Sequence, residues 1–307
     1  MVDRRDGKHT AARRRSLMRR IFCSTLGAML MSVASAGVLK ADDTIAVNKA
    51  LHDALPKEYQ ENGVKVAVFN DWPPDEFVEN GELKGWSVDM AKAMSAKLGV
   101  PFQFTGTSFE AILPGLVGRR FDAGFSSFAP TADRLKVLDF IPQRSDGTAY
   151  AYLTSKPLSI NELKDLCGKS IAVLTGAFDF QYLTKLSAET CVKGGSPAIE
   201  IQQFTTQNNA ELAVSSGRVQ LVAAGSAKLQ YLAKQTGKFT VSSLAVNELY
   251  NGIGVRKDDP LGPVLQQALQ KMIDDGTYTR LMGAWGVDKQ GILNKAVLVT
   301  EANPDPK

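Results

Sequence analysis

Histidine and cysteine are nearly missing from this sequence: two histidines, His9 and His52, and three cysteines, Cys23, Cys167 and Cys191, occur among 307 residues. Metal coordination by imidazole or thiolate needs several such side chains at short spacing, and no such spacing occurs. General acid–base chemistry near neutral pH loses its commonest agent. Charge of one sign is missing as well. The formal +4 is concentrated at the front, where residues 1–36 hold eight of the 36 Lys and Arg and two of the 32 Asp and Glu. The 28 basic and 30 acidic side chains that remain offer nothing to nucleic acid. Beyond residue 36 no apolar run is long enough to cross a bilayer.

The front itself has the layout of an export signal. Residues 13–20 form a basic region, residues 21–33 an apolar core of 13 residues, and Ala34-Ser35-Ala36 a small-residue cleavage site, with Ala41 as a second candidate. The alternative is a retained anchor, although 13 residues are short for one. Cleavage after residue 36 removes Cys23 and leaves Cys167 and Cys191. An oxidising periplasm would join such a pair, closing a loop that stabilises by about 3 kcal/mol on the chain-entropy estimate; two buried free thiols are the other possibility.

The rest of the chain, with 44% hydrophobic residues overall, suffices for about two domains. Residues 42–62 suggest a peripheral helix around Leu51, Leu55 and Tyr59. Val64 to Phe69 is a strand and Glu79-Asn80-Gly81-Glu82 a hairpin turn. Ser87 caps a helix that Gly99 ends. A strand over 100–105, a helix over 109–117 and a strand over 121–125 complete a β-α-β-α-β series, the mark of a parallel, doubly wound sheet. Ligands in such sheets sit at the carboxyl ends of the strands, where Trp72, Phe109, Ser126, Ser127 and Arg134 all fall. Arg134 stands near a helix start and carries a planar fork suited to a carboxylate; pairing with Asp133 or Asp139 on the surface is the plainer reading.

The pattern then restarts. Ser159-Ile160-Asn161-Glu162 reads as a capping box. Strands over 170–174, 199–204 and 219–223 alternate with helices over about 178–188, 208–216 and 228–234. The segments 148–153 and 250–255 are β-rich and join the halves. The expected architecture is α/β, with two similar lobes linked by a two-strand hinge and a ligand buried between their strand ends. Residues 257–286 are helical again and would pack on the first lobe. The boundaries that follow are 1–36 for the signal, 37–62 for an N-terminal extension, 63–149 plus 254–307 for lobe 1, and 150–253 for lobe 2.

From about Gly63 to Gly286 the chain resembles the family 3 extracellular solute-binding proteins, the polar amino-acid receptors of bacterial ABC importers. The phrases that carry the resemblance are Trp72-Pro73-Pro74, Leu83-Lys84-Gly85-Trp86-Ser87-Val88-Asp89, Ile112-Leu113-Pro114-Gly115-Leu116, Phe121-Asp122-Ala123, Arg134 with Val137-Leu138-Asp139-Phe140, Gly252-Ile253-Gly254-Val255-Arg256 and Asp275-Gly276-Thr277-Tyr278. The resemblance implies the two-lobed periplasmic-binding-protein fold and a Cys167–Cys191 pair seen in part of the family. It also implies that Trp72 and Phe109 sandwich the ligand, that Arg134 grips its carboxylate, and that Ser126 and Ser127 stand beside it.

Four positions depart from the family pattern. Ala129 stands for a Ser/Thr, Gly176-Ala177-Phe178 for a Gly-Ser/Thr-Thr helix start, Asp75 for the Phe of Pro-Pro-Phe, and Gly225 for the acid that takes the α-ammonium. An ammonium closed into a cleft without a carboxylate is unfavourable. The ligand is therefore expected to be a carboxylate-bearing molecule, either an amino-acid derivative with a blocked amine, an organic acid, or an amino acid whose counter-ion is Asp179 or Asp75. Phe178, Asp179 and Gly225 join the ligand-binding candidates. The expected partner is a membrane permease of an ABC importer, with the protein a monomer in the periplasm and no cofactor, metal or nucleic acid involved. The competing class is an enzyme on the same fold, such as a cyclohexadienyl dehydratase, for which the cleft segments offer only the carboxylates Asp75 and Asp179 as acid or base.

Overall fold

A computed structural model describes residues 45–287 and 291–306. The export signal expected over 1–36, with His9 and Cys23, lies outside the described residues. Two short helices, α1 (Lys49–Ala54) and α2 (Lys57–Asn62), replace the single helix expected before the first strand. Pro56 is the cause: it holds Leu55 in extended backbone, with ψ at 140°. After β1 (Val64–Phe69) come the three strands of a small antiparallel sheet, β2 (Asp71–Trp72), β3 (Glu76–Glu79) and β4 (Glu82–Lys84). The β3–β4 turn holds Asn80 and Gly81 at φ 54° and 84°, the pair of positive values that a tight hairpin requires.

The first lobe continues with α3 (Trp86–Leu98), β5 (Phe102–Thr107), α4 (Phe109–Val117), β6 (Ala123–Phe128), α5 (Ala132–Leu135) and β7 (Leu138–Leu153). The second contains β8 (Ser170–Leu174), α6 (Phe178–Leu186), β9 (Glu200–Phe204), α7 (Gln207–Ser215), β10 (Leu221–Gly225) and α8 (Ser226–Thr236), and β11 (Phe239–Arg256) leads back to α9 (Leu261–Asp274) and α10 (Thr277–Ala284). Two expected caps are absent. The N–H groups of Trp86 and Ser87 bond to the Pro74 and Asp75 carbonyls, so loop backbone caps α3 and the Ser87 hydroxyl, buried inside the helix, donates to Gln143 Oε1. The capping box at the 3₁₀ turn Leu163–Leu166 is built from Glu162 and Asp165, not from Ser159.

One eight-stranded sheet runs through both lobes in the order β5-β1-β6-β11-β7-β10-β8-β9. β1 is parallel to β5 and β6, and β8 is parallel to β9 and β10. The largely buried runs of β1, β6, β8 and β10 suit strands covered on both faces, whereas β5 and β9, at the two edges of the sheet, alternate with exposed polar residues. β7 and β11, 16 and 18 residues long, pair antiparallel with each other and belong to both lobes. They are much longer than the hinge segments expected from sequence. Pro142 and Asp146-Gly147 lie inside β7, where register shifts at Asn251/Gly252 and Val246/Leu249 of the partner strand accommodate them.

Helices cover both faces of each half. In the first lobe Met90, Met94, Leu265, Leu269 and Met272 fill one face, and Ile112, Leu116, Phe121 and Phe140 the other. In the second, Ala210, Val214 and Leu229 pack against one side, and Leu166, Leu183, Leu186 and Cys191 against the opposite one. Cys191 is bonded to Cys167 there. α9 and α10 pack on the first lobe as expected. Trp86 is fully buried with its Nε1 donating to Asp75, and Trp285 donates to Asp89.

Candidate functional site

The parallel strands of the two lobes end at a shared cavity. It measures about 70 Å³ as space open to the centres of water-sized spheres, several times the roughly 10–15 Å³ that one water needs. All eight residues singled out from the sequence as ligand-binding line it: Trp72, Phe109, Ser126, Ser127, Arg134, Phe178, Asp179 and Gly225. β6 runs on through Ser126 and Ser127 to Phe128, further than expected, so both serines sit on the strand's last turn of pleat. Ser126 Oγ is fully buried without a hydrogen-bond partner. Phe69 at the end of β1 packs on both Trp72 and Phe109, with centroids 6.3 and 5.7 Å away, and Phe109 meets Phe128 edge-on at 6.1 Å.

Arg134 does not pair with its acidic neighbours. Asp133 takes Lys136 at 2.7 Å, and Asp139 accepts from the Asp258 N–H. The Arg134 guanidinium lies over Phe109 and Phe128, 5.5 and 5.7 Å from their centroids. Its Nη1 donates to Ala129 O at 2.7 Å and its Nη2 to Gly176 O in the other lobe at 2.9 Å. A guanidinium has five N–H donors, so three remain for an anion. Burial pushes its pKa down to about 10, partly offset by Asp179, and the group stays charged at neutral pH. A second bond between lobes runs from the Asn208 N–H, in the first turn of α7, to Asp71 Oδ2 at 2.9 Å.

Carboxyl groups dominate the opposite wall. Asp75 accepts from Trp86 Nε1 at 2.8 Å and from the Ser127 hydroxyl at 2.7 Å, and the same hydroxyl is 3.1 Å from Glu76 Oε2. One hydroxyl proton cannot serve two ionised carboxylates. Burial, and then the charge of Asp75, raise the Glu76 pKa well above the ordinary carboxyl value. Asp146, on β7, pairs with Arg144 Nη2 at 3.3 Å, accepts from the N–H groups of Gly147 and Ala227 at 2.9 and 3.3 Å, and is pushed up to about 6 by burial. Asp179 accepts from the Thr148 hydroxyl at 2.6 Å, and burial raises its pKa too.

Glu76, Asp146 and the fully buried Arg144 were not singled out from the sequence. Their signal is weak but real: Arg144 and Asp146 are charges inside a segment otherwise buried on both faces, and Glu76 directly follows Asp75. His52, by contrast, fastens α1 to α3 through Nδ1 and Leu98 O at 2.8 Å and does not line the cavity. Among the described residues no cluster of His, Cys, Asp and Glu could hold a metal ion.

Residues 64–288 match the profile of the bacterial extracellular solute-binding proteins, family 3. The arginine-binding protein ArgT of Corynebacterium glutamicum is 29% identical over 80% of this chain and 81% of its own length. The L-arginine-binding protein of Pseudomonas aeruginosa is 27% identical over 74% and 89%. Among solved structures, an ancestral arginine-binding protein bound to arginine shares 30% identity over 73% of this chain and 97% of that one, with a TM-score of 0.66. The ancestral amino acid-binding protein AncCDT-1, a precursor of cyclohexadienyl dehydratase, shares 27% over 75% and 98%, with a TM-score of 0.67.

Proposed function

The chain belongs to the bacterial extracellular solute-binding proteins, family 3, and on that premise we propose that it is the receptor through which an ABC importer collects an α-amino acid with a cationic side chain, arginine in type. The names of its relatives support an amino acid, and the charge of the cavity wall supports the cation. That charge is the observation that carries the reading: among the described residues, Asp75, Glu76, Asp146 and Asp179 line the cavity against Arg134, with Arg144 paired behind Asp146. Arg134 grips the ligand's carboxylate bidentately through its spare donors. Asp75 and Glu76 take the side-chain cation, oriented by Ser127, while Trp72 and Phe109 flank the aliphatic stem and Phe178 shields it from water. Ser126 offers its unpartnered hydroxyl. Ligand binding draws lobes 63–149 plus 254–307 and 150–253 together about β7 and β11, and the closed form docks on the permease. The protein does this as a monomer in the periplasm, after losing its signal, and without a cofactor.

The test is thermal unfolding of the mature protein with the common L-amino acids, N-acetyl-L-arginine and small organic acids. A ligand at about 100 times its Kd adds about 2.7 kcal/mol. Stabilisation by L-arginine is the expected result; stabilisation by blocked or amine-free acids alone would sink the amino-acid reading, and conversion of a carboxylate substrate to product would favour an enzyme.

A pH dependence follows from the raised carboxyl groups. Glu76 and Asp146 hold their protons to higher pH than ordinary carboxyls, Asp146 to about 6, whereas a bound cation requires them ionised. Binding then releases protons, so affinity rises with pH through this range and falls by up to about tenfold per pH unit and linked proton below it. Titrations of L-arginine at about pH 5 and about pH 7.5 should differ in that direction; equal affinities would show that neither group meets the cation.

A further inference from the structure

Gly225, the last residue of β10, has no room for a side chain. A Cβ there would lie 2.8 Å from Asp146 Oδ2 and 3.6 Å from Trp72 Cζ2. The space beside the end of β10 is thus filled by a carboxylate that reaches over from β7. Asp146 is held in that position from several sides. Gly147 N–H bonds to Oδ1, while Ala227 N–H in the first turn of α8 and Arg144 Nη2 both bond to Oδ2. A side chain at position 225 and the Asp146 carboxylate in this position exclude each other.

Both cavity carboxylates that stand apart from the Asp75–Glu76 pair could meet an ammonium, and they differ in their surroundings. Asp179 is the carboxylate whose charge acts on Arg134, so its field is already balanced, and the Thr148 hydroxyl occupies its Oδ1. Asp146 lies in an acid-rich corner, where Asp75 adds repulsion and Arg144 is the one balancing cation. The two corners adjoin. Gly225 pairs in register with Thr148, the residue that donates to Asp179. Arg134, Asp179 and Asp146 line the same cavity, so a molecule held there by its carboxylate on Arg134 keeps its other groups in the space that Asp146 borders.

We propose that Asp146 receives the α-ammonium of the ligand, and that position 225 is glycine because this carboxylate from the hinge strand needs the space. The inference rests on the amino-acid reading above. It makes amine recognition a property of β7, the strand that both lobes share, and not of the second lobe alone.

Calorimetric titration of the mature protein with L-arginine and with 5-guanidinopentanoate, the same molecule without its amine, separates the outcomes. Wild type should prefer L-arginine. Asp146→Asn should weaken L-arginine by at least about 30-fold and leave 5-guanidinopentanoate unchanged, which a general loosening of the cleft would not do. The swap Asp146→Ala with Gly225→Asp, which opens the space and returns a carboxylate from β10, should regain most of the preference for the amine. It carries the test alone if Asp146→Asn does not fold: no amine preference in the swap then overturns the inference. An unchanged preference in Asp146→Asn, or its loss in Asp179→Asn instead, overturns the inference and leaves the amino-acid reading standing. Wild type that binds 5-guanidinopentanoate as tightly as L-arginine overturns it too, and wild type that binds neither overturns both readings.

Discussion

Arg134→Ala should weaken the binding of every carboxylate ligand by about 30-fold to several thousand-fold, the range that corresponds to about 2–5 kcal/mol for removing one member of a buried charge pair. The effect is large because the site leaves the anion no substitute. Arg134 is the guanidinium whose plane is fixed by Phe109 and Phe128 and whose two terminal nitrogens are anchored on Ala129 O and Gly176 O. The surrounding wall carries carboxyl groups. Without Arg134 the ligand's carboxylate would face Asp179 across an apolar, partly desolvated space. Arg134→Lys should recover little, since an ammonium cannot hold Ala129, Gly176 and both ligand oxygens in one plane. The bond to Gly176 O also spans the two lobes, so the variant should close less readily. Calorimetry with L-arginine measures the loss, and the unfolding temperature of the ligand-free variant separates it from misfolding. A loss under about threefold would mean that the carboxylate sits elsewhere.

Lys228→Met should destabilise the second lobe by about 3–5 kcal/mol. Lys228 on α8 and Glu211 on α7 form an ion pair with N···O at 2.5 Å, and their side chains are 2% and 9% exposed. Glu211 also accepts from Gln207 Nε2 at 3.1 Å. Removing the lysine strands a largely buried carboxylate without its cation. Replacing both partners by apolar side chains of similar volume, Lys228→Met with Glu211→Leu, should return most of the loss, because desolvation opposes much of what such a pair contributes. The pair also bears on closure: Glu211 raises the pKa of Asp71 and Lys228 lowers it, and Asp71 is the acceptor that ties the first lobe to α7. Denaturant unfolding of the single and double variants checks the stability claim. A single-variant cost below about 1 kcal/mol, typical of exposed pairs, would refute it.

Much of the architecture was legible because hydrophobic periodicity is local. Val64 to Phe69 reads as a strand, and 109–117 as a helix, from their own residues. The strand-to-helix steps that bring Trp72, Phe109, Ser126, Ser127 and Arg134 to one sheet edge follow from the order of elements. Errors came where a distant partner overrode a local signal. Ser87 reads as a cap, yet the Pro74 and Asp75 carbonyls do that work and free its hydroxyl for Gln143. The hinge reads as 148–153 and 250–255, yet pairing between β7 and β11 extends it over 16 and 18 residues.

The sequence by itself determined the α/β series, the repeat of that series in a second lobe, the pairing partners available to sulfur, and the family, because each is written in short-range pattern or in ordered motifs. It also determined that position 225 has no acid of its own. Only the tertiary structure decided which charges share the cavity: that Arg134 reaches across to Gly176, that Ser127 stands between Asp75 and Glu76, and that Asp146 fills the space left by Gly225. The physical reason is that burial of apolar faces fixes each element from its own composition. The meeting of polar groups depends instead on the register and twist of β7 against β10 and β11, which is set by strands far apart in the chain.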